Sequence, residues 1–415
     1  MRRARRRCGS TLVREFALPV APARTVANDR LRIIVLGYIV RGPLGGLAWH
    51  HLQYMLGLAA LGHDVYFVED SEDYPACYDP SRNVVDTDPS YGLRFTARVF
   101  DRVGLGGRWA YYDAHTARWL GPCADRILDL CADADLALNV SGVNPLRPWL
   151  LDIPARALID TDPVFTQLRH LADPAARAAA LLHTAFCSFG EHAGRGAIPD
   201  DGLPWQPTRQ PITLDAWPVT PGPADGRFTT VMQWDSYAVR EHGGQRYGMK
   251  SASFAPYLDL PRLAGRRFEL ALGSASAPRA ELRRHGWSVR NPLRPTRDPW
   301  TYQRYIQRSR AEFSVAKHGY VAARSGWFSE RSAAYLASGR PVVVQDTGFS
   351  HWLDADAGVL PFSTPDQALA AIEAVERDYA AQCWAARAVA EQYFDARRVL
   401  PQLIAQALAP QEALS

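Results

Sequence analysis

Apolar residues along this chain come in short uninterrupted runs, each bounded by Gly, Pro or polar clusters and separated by longer amphipathic stretches. That rhythm predicts buried parallel strands alternating with helices. Residues 31–37 (LRIIVLG) predict a strand, followed by a loop carrying Gly42, Gly45 and Gly46, a helix to about residue 61 and a second strand at 65–68. Residues 71–116 are aromatic, polar and irregular, an expected insertion with one helix at 91–103. Beyond it the pattern predicts a helix at 117–132, strands at 135–140, 155–160 and 184–189, and a helix at 174–182. These strands end in polar clusters, Ser141-Gly142, Thr161-Asp162-Pro163 and Gly190-Glu191-His192, as expected where strand tips line a cleft. The second half repeats the alternation with a strand at 228–233, a loop to 248, a helix at 249–263, strands at 268–272 and 287–290, and a helix at 302–309. Helices at 365–390 and 396–408 close the chain. The expected fold class is α/β, with two doubly wound domains facing a cleft.

Residues 312–361 carry the sharpest local pattern. A strand at 313–315 leads through a glycine-containing loop to a helix that Ser329 or Ser325 can cap, with Glu330 and Arg331 in its first turn. Gly339 ends the helix and Pro341 to Val344 start another strand. This is one right-handed β-α-β unit, and the N-terminus of its helix at the carboxyl edge of a parallel sheet suits a phosphate. In the first β-α-β unit the glycines of GPLGG lack the GxGxxG spacing of a dinucleotide site, although the loop could accommodate a phosphate or a sugar. Glu69 and Asp70, after the second strand, are placed like the ribose-binding acid of such folds.

Length supports two domains, since 415 residues exceed one compact core. The run from 198 to 225 holds seven prolines and little periodicity, which puts the boundary near residue 220. The expected division is a disordered basic tail at 1–29, domains at 30–220 and 221–392, and a C-terminal helical segment at 393–415 crossing back to the first domain. A net charge of +4, part of it in the tail, argues against nucleic acid as the main partner. No apolar run reaches bilayer length and no long apolar core follows the basic start, so a cytoplasmic protein is expected. The six cysteines show no metal-ligand spacing, and no metal site is expected. Of the 47 basic residues only Lys250 and Lys317 are lysine, which singles out two places where a compact ammonium replaces the planar arginine fork.

Three pieces resemble the GT-B glycosyltransferases, enzymes with two Rossmann-like domains, and most nearly their bacterial members. They are the strand, Gly-Gly loop, helix and GHDV turn of residues 31–66; the strand, polar loop and Lys250-started helix of the second half; and GWFSERSAAYLASGRPVVVQDTGF at 326–349. The likeness spans residues 31–408. It implies a metal-independent, hexosyltransferase-like enzyme with no cofactor beyond a nucleotide-diphosphate sugar as co-substrate. The donor would bind the second domain, and a small-molecule or glycan acceptor the first. On the donor side it implies roles for Trp234, Lys250, Lys317, the His318-Gly319 turn, Ser329, Glu330 and the loop Gln345, Asp346, Thr347 and Gly348. Lys250 and Lys317 would neutralise the diphosphate, and Glu330 would accept the ribose hydroxyls. The chain departs from the family here: the usual glutamate position falls at Ala334, one helical turn or about 5 Å from Glu330.

On the acceptor side the loop residues Gly45, Gly46 and Ser141 are expected near the acceptor. An inverting transfer needs a base within hydrogen-bond reach of the acceptor hydroxyl. His50, His51, Asp162 and Glu191 are the candidates, and two adjacent helical histidines point about 100° apart, so at most one faces the cleft. The competing readings are a nucleotide-sugar epimerase on the same fold and a catalytically inactive sugar- or nucleotide-binding partner protein.

Overall fold

In the computed structural model, which describes residues 30–409, each half of the chain builds its own sheet. The first contains β1 (Arg32–Leu36), β2 (Asp64–Asp70), β3 (Trp109–Asp113), β4 (Arg118–Leu120), β5 (Leu136–Val140), β6 (Ala155–Asp160), β7 (Ala185–Ser188) and β8 (Gln206–Pro207). Their spatial order is β8-β7-β6-β5-β1-β2-β3-β4, parallel except for the edge strand β4. The second contains β9 (Phe228–Gln233), β10 (Phe268–Gly273), β11 (Ser288–Arg290), β12 (Ala311–Ser314), β13 (Val342–Gln345) and β14 (Val359–Phe362), ordered β11-β10-β9-β12-β13-β14 and parallel throughout. Ile33 to Leu36 are at most 1% exposed, so β1 is covered on both faces, which is why it reads as an unbroken apolar run rather than an alternation.

Both sheets reverse direction beside their first strand, at β1 between β2 and β5 and at β9 between β10 and β12. Loops leaving neighbouring strands to opposite sides open a crevice at such a point. The helices that frame the two crevices are α1 (Gly45–Ala60), α2 (Phe165–Ala172), α3 (Pro299–Gln307), α4 (His318–Ala322) and α5 (Glu330–Ala337). A last helix, α6 (Ala396–Leu408), packs on α1, β6 and β7 of the first half, with Ile212 and Asp395 bridging as isolated strand partners. The tail at 1–29 lies outside the described residues. Among the described residues no helix is long and apolar enough to cross a membrane.

The two halves are pressed together. Trp49 of α1 lies 5.0 Å from the ring of Trp217 and donates its indole N–H to the Pro299 carbonyl at 2.7 Å. A Cβ on Gly45 would fall well inside van der Waals contact with the Asp298 carbonyl, so only glycine lets the start of α1 meet the start of α3 this closely.

Several elements differ from expectation. Residues 71–116 are more ordered than predicted, with an antiparallel hairpin (Cys77–Asp79 with Val84–Asp86) and the strand β3, each too short for a period-2 signal. The helix expected from 117 shrinks to Ile127–Ala132, because Arg118–Leu120 pairs with β3 instead. The helix expected at 249–263 breaks into Ser251–Phe254, a 3₁₀ turn at Ala255–Tyr257, and Leu260–Ala264, since Pro256 and Pro261 each remove a backbone donor. The helix expected at 365–390 is two, Pro365–Arg377 and Tyr379–Tyr393, with Asp378 capping the second through the Ala381 N–H. The short helices α2, α4 and Arg279–Arg284, and the proline-bearing edge strand β14, lie outside the predicted elements.

Candidate functional site

A cleft of about 1110 Å³ opens where the two crevices face each other. Its second-domain wall is built from the tips of β9, β10, β11 and β12 and the start of α5. Ser329 caps α5, its hydroxyl accepting the Arg331 N–H at 3.2 Å, and this sets Glu330 in the first turn, where the helix dipole favours a carboxylate. Arg331 lies under the cleft floor. Its guanidinium reaches Glu312 Oε1 at 2.6 Å, the Ser314 hydroxyl at 2.9 Å and the Val231 carbonyl at 2.9 Å. Glu312 is fully buried, and its second oxygen, Oε2, has no partner among the described residues.

Lys250 lines the same wall and is 9% exposed. Burial first, then the Arg331 charge, pushes its ammonium well below the ordinary lysine value, while Glu312 and Glu330 oppose that shift. An anion entering beside Lys250 would offset the burial and the Arg331 repulsion that depress its ammonium, and so favour its charged form. Six Lys or Arg residues (Lys250, Arg279, Arg283, Arg290, Lys317 and Arg331) and two carboxylates, Asp162 and Glu330, line the whole cleft. Lys317 is paired with Asp162, Arg331 with Glu312 and Arg290 with Glu269, so among the described residues Lys250, Arg279 and Arg283 are the lining cations without an ion-pair partner.

On the first-domain wall, His50 lines the cleft and is buried to 9% exposure. Burial lowers its imidazole below the ordinary value and the nearby Glu330 charge raises it in opposition, leaving a neutral ring at neutral pH. Tyr38, at the tip of β1, is pushed up to about 12 by burial and by Glu330, and so remains a hydroxyl donor. Behind that tip, the fully buried Glu69 carboxylate accepts the backbone N–H groups of Ile39, Val40 and Arg41 at 2.6–2.7 Å. The acid placed like a ribose ligand therefore anchors the β1–α1 loop, and its neighbour Asp70 is held by Arg147 at 2.9 and 3.2 Å.

The other base candidates are engaged elsewhere. His51 is fully buried; its Nδ1 lies 2.8 Å from the Leu47 carbonyl and its Nε2 accepts the Tyr38 N–H at 3.3 Å, so neither nitrogen is free for a substrate. Glu191 lies outside the cleft lining, where its carboxylate meets Arg209 at 3.3 Å. Asp162 lines the cleft but is gripped by Lys317, at 2.8 and 2.9 Å, and by the hydroxyls of Tyr237 and Tyr320. Lys317 is therefore already paired in this arrangement and is not a free phosphate ligand.

Of the remaining predicted residues, Gly46, Trp234, Ser329 and Glu330 line the cleft. Gly45 is sealed against α3, as described, and Ser141 stands one residue back from the lining, sharing a 2.8 Å hydrogen bond with the lining residue Thr161. His318 accepts the Gly248 N–H at 3.3 Å, and Gly319 gives way to the Phe165 ring, so this turn serves the domain contact. Gln345 accepts the Ala316 N–H at 3.1 Å, Thr347 bonds the Trp327 carbonyl, and Asp346 braces its own loop through Gly348 N–H and Ser350. The loop from Gln345 to Gly348 thus stands behind the cleft; Gln345 and Thr347 touch only a small adjoining void.

The cleft lining also includes Tyr38, Tyr302, Arg279 and Arg331, which were not among the expected site residues. Arg331 had a signal in its place beside Glu330 in the first turn of α5. Arg279, whose guanidinium grips the Leu272 and Ser274 carbonyls at 3.1 and 2.7 Å, had none.

No family model matches this chain, and no curated protein does. Solved structures do. AviGT4, a glycosyltransferase involved in avilamycin A biosynthesis, is 15% identical, with 91% of this chain and 97% of that one covered at a TM-score of 0.50. An α-glucosyltransferase in complex with UDP and a 13-mer DNA containing an HMU base is 11% identical, covering 91% and 99% at a TM-score of 0.55. Anabaena HepE in complex with UDP-glucose is 11% identical, covering 90% and 98% at a TM-score of 0.50. The fold is the GT-B architecture, two Rossmann-like domains facing a cleft.

Proposed function

We propose that this chain is a glycosyltransferase that moves a sugar from a nucleoside-diphosphate donor to a small-molecule or glycan acceptor. The excess of cations in the cleft, centred on Lys250 and Arg331 beside the N-terminus of α5, carries the reading. A departing nucleoside diphosphate gains negative charge as the glycosidic bond breaks, and fixed cations with a helix N-terminus stabilise that charge where it develops. Lys250 would contact the diphosphate directly. Arg331, fixed by Glu312 and Ser314, would supply field from beneath. The cation set can neutralise a diphosphate without a bound divalent ion, so the proposed reaction is metal-independent. UDP is the first donor nucleotide to try, because two of the similar structures were solved with UDP or UDP-glucose.

His50 is the proposed base for an inverting transfer, being the one candidate that lines the cleft with its imidazole unengaged by the partners that hold the other three. Glu330 shares with His50 both the cleft and a small adjoining cavity. Its carboxylate therefore suits a donor diol near the reacting carbon rather than the far nucleobase end.

Thermal-shift screening with UDP, GDP, ADP and TDP tests the reading. Stabilisation by one of the four, with release of sugar from the matching nucleotide sugar, supports the transferase. Stabilisation without sugar release fits a binding partner protein, and stabilisation by none removes the donor site.

A further inference from the structure

We propose that Asp162 of the first domain and Lys317 of the second form a latch that holds the two domains closed over the cleft. The ammonium of Lys317 donates to both Asp162 oxygens, at 2.8 and 2.9 Å, and to the Tyr237 hydroxyl at 2.6 Å. The Tyr237 and Tyr320 hydroxyls donate to the same carboxylate, so three second-domain groups converge on one first-domain side chain. The rings of Phe165, Tyr237 and Tyr320 stand 4.6–5.3 Å from the ammonium and box it in. Among the described residues this is the one ion pair joining the two domains.

Both sides of the contact are built for it. Asp162 is presented by a turn anchored on the buried Asp160, which accepts the Asp162 N–H at 2.9 Å and bonds Thr166, Gln167 and Ser188. The same turn holds Val164 at φ 76°, a left-handed conformation that a β-branched residue adopts only under constraint from its surroundings. That backbone places Phe165 against Tyr237 and Tyr320 at ring distances of 5.1 and 5.8 Å. On the other side, a Cβ at Gly319 would strike the Phe165 ring, so α4 and α2 approach only because that position is glycine. Burial and the Asp162 charge keep the two tyrosine hydroxyls protonated, as donors.

The latch lies in the wall of the cleft, since Thr161, Asp162, Lys317 and Tyr320 all line it. Its bonds must break for the cleft to widen at this end. The latch is a feature of the ligand-free chain, whatever donor the cleft takes.

Small-angle X-ray scattering on the full chain without nucleotide tests it, comparing wild type with Asp162→Asn, Lys317→Met and the double variant. The latch predicts a larger radius of gyration in each single variant and no further increase in the double, since either change breaks the same contact. Far-UV circular dichroism identifies any variant that fails to fold. Tyr237→Phe, which removes one hydroxyl and keeps the ring, then replaces it and is expected to give a smaller expansion of the same sign. Radii unchanged from wild type in folded variants would overturn the proposal.

Discussion

If Lys250 contacts the diphosphate, it does so as a group that burial and the neighbouring Arg331 charge push toward its neutral form, so that an anion in the cleft restores its charge. His50 depends on the same burial for the opposite property, a ring that stays neutral. If His50 takes the acceptor proton, the transfer rate falls only below the depressed imidazole pKa. The acid limb of the pH–rate profile is then expected under the ordinary value of about 6.5, and His50→Gln should remove that limb along with most of the activity. Lys250 was legible in the sequence because lysine is scarce and this one starts the first helix after a strand. The engagement of His51, Asp162 and Glu191 was not, because each meets a partner outside its own helix or turn: Tyr38 N–H, Lys317 and Arg209, at 13, 155 and 18 residues' separation respectively. Nothing in local spacing reports such pairings.

At the scale of elements, the legible parts were those with long or continuous apolar signals. Ala155–Asp160, Phe228–Gln233 and Ala396–Leu408 form where the pattern places them, because a strand buried on both faces and an amphipathic helix each repeat one signal over their whole length. The hairpin at Cys77–Asp86 and the broken helix after Lys250 were hidden, the first by shortness and the second by prolines inside an otherwise helical stretch. The meeting of α1 with α3 was hidden as well, although the sequence marks it with Gly45. Replacing Gly45 with Ala sets a methyl group against the Asp298 carbonyl, a backbone atom that cannot rotate away. Thermal or denaturant unfolding should show a loss of about 1–3 kcal/mol, the usual range for overpacking. The adjacent Gly46→Ala, whose Cβ would meet the Tyr302 ring at 3.4 Å, should cost less.

For the whole molecule, the two-domain division follows from length and the proline-rich run, but the closed approach of the domains does not. It comes from groups of the two halves meeting, as at the Trp49 indole with the Pro299 carbonyl and Asp162 with Lys317. Burial of several neutral histidines also gives the molecule a pH-dependent stability. His183 is lowered by burial to about 4, and His50 and His51 are lowered too. The unfolded chain binds these protons first, so stability is whole above about pH 6.5 and falls as pH drops toward 4, with His183 alone accounting for about 3 kcal/mol. Melting temperatures measured across that range should decline, and His183→Gln should flatten the decline. A chelator added before nucleotide should leave binding unchanged, because the proposed neutralising charges are side chains.

In the proposed transfer a nucleoside diphosphate binds against Lys250. Titration calorimetry of UDP, GDP, ADP and TDP into the wild type and into Lys250→Met tests it most directly. One nucleotide should bind the wild type at a single site and bind the variant about tenfold or more weakly, the loss expected for one charged hydrogen bond. Equal affinity in both proteins, or no binding to either, would contradict the account.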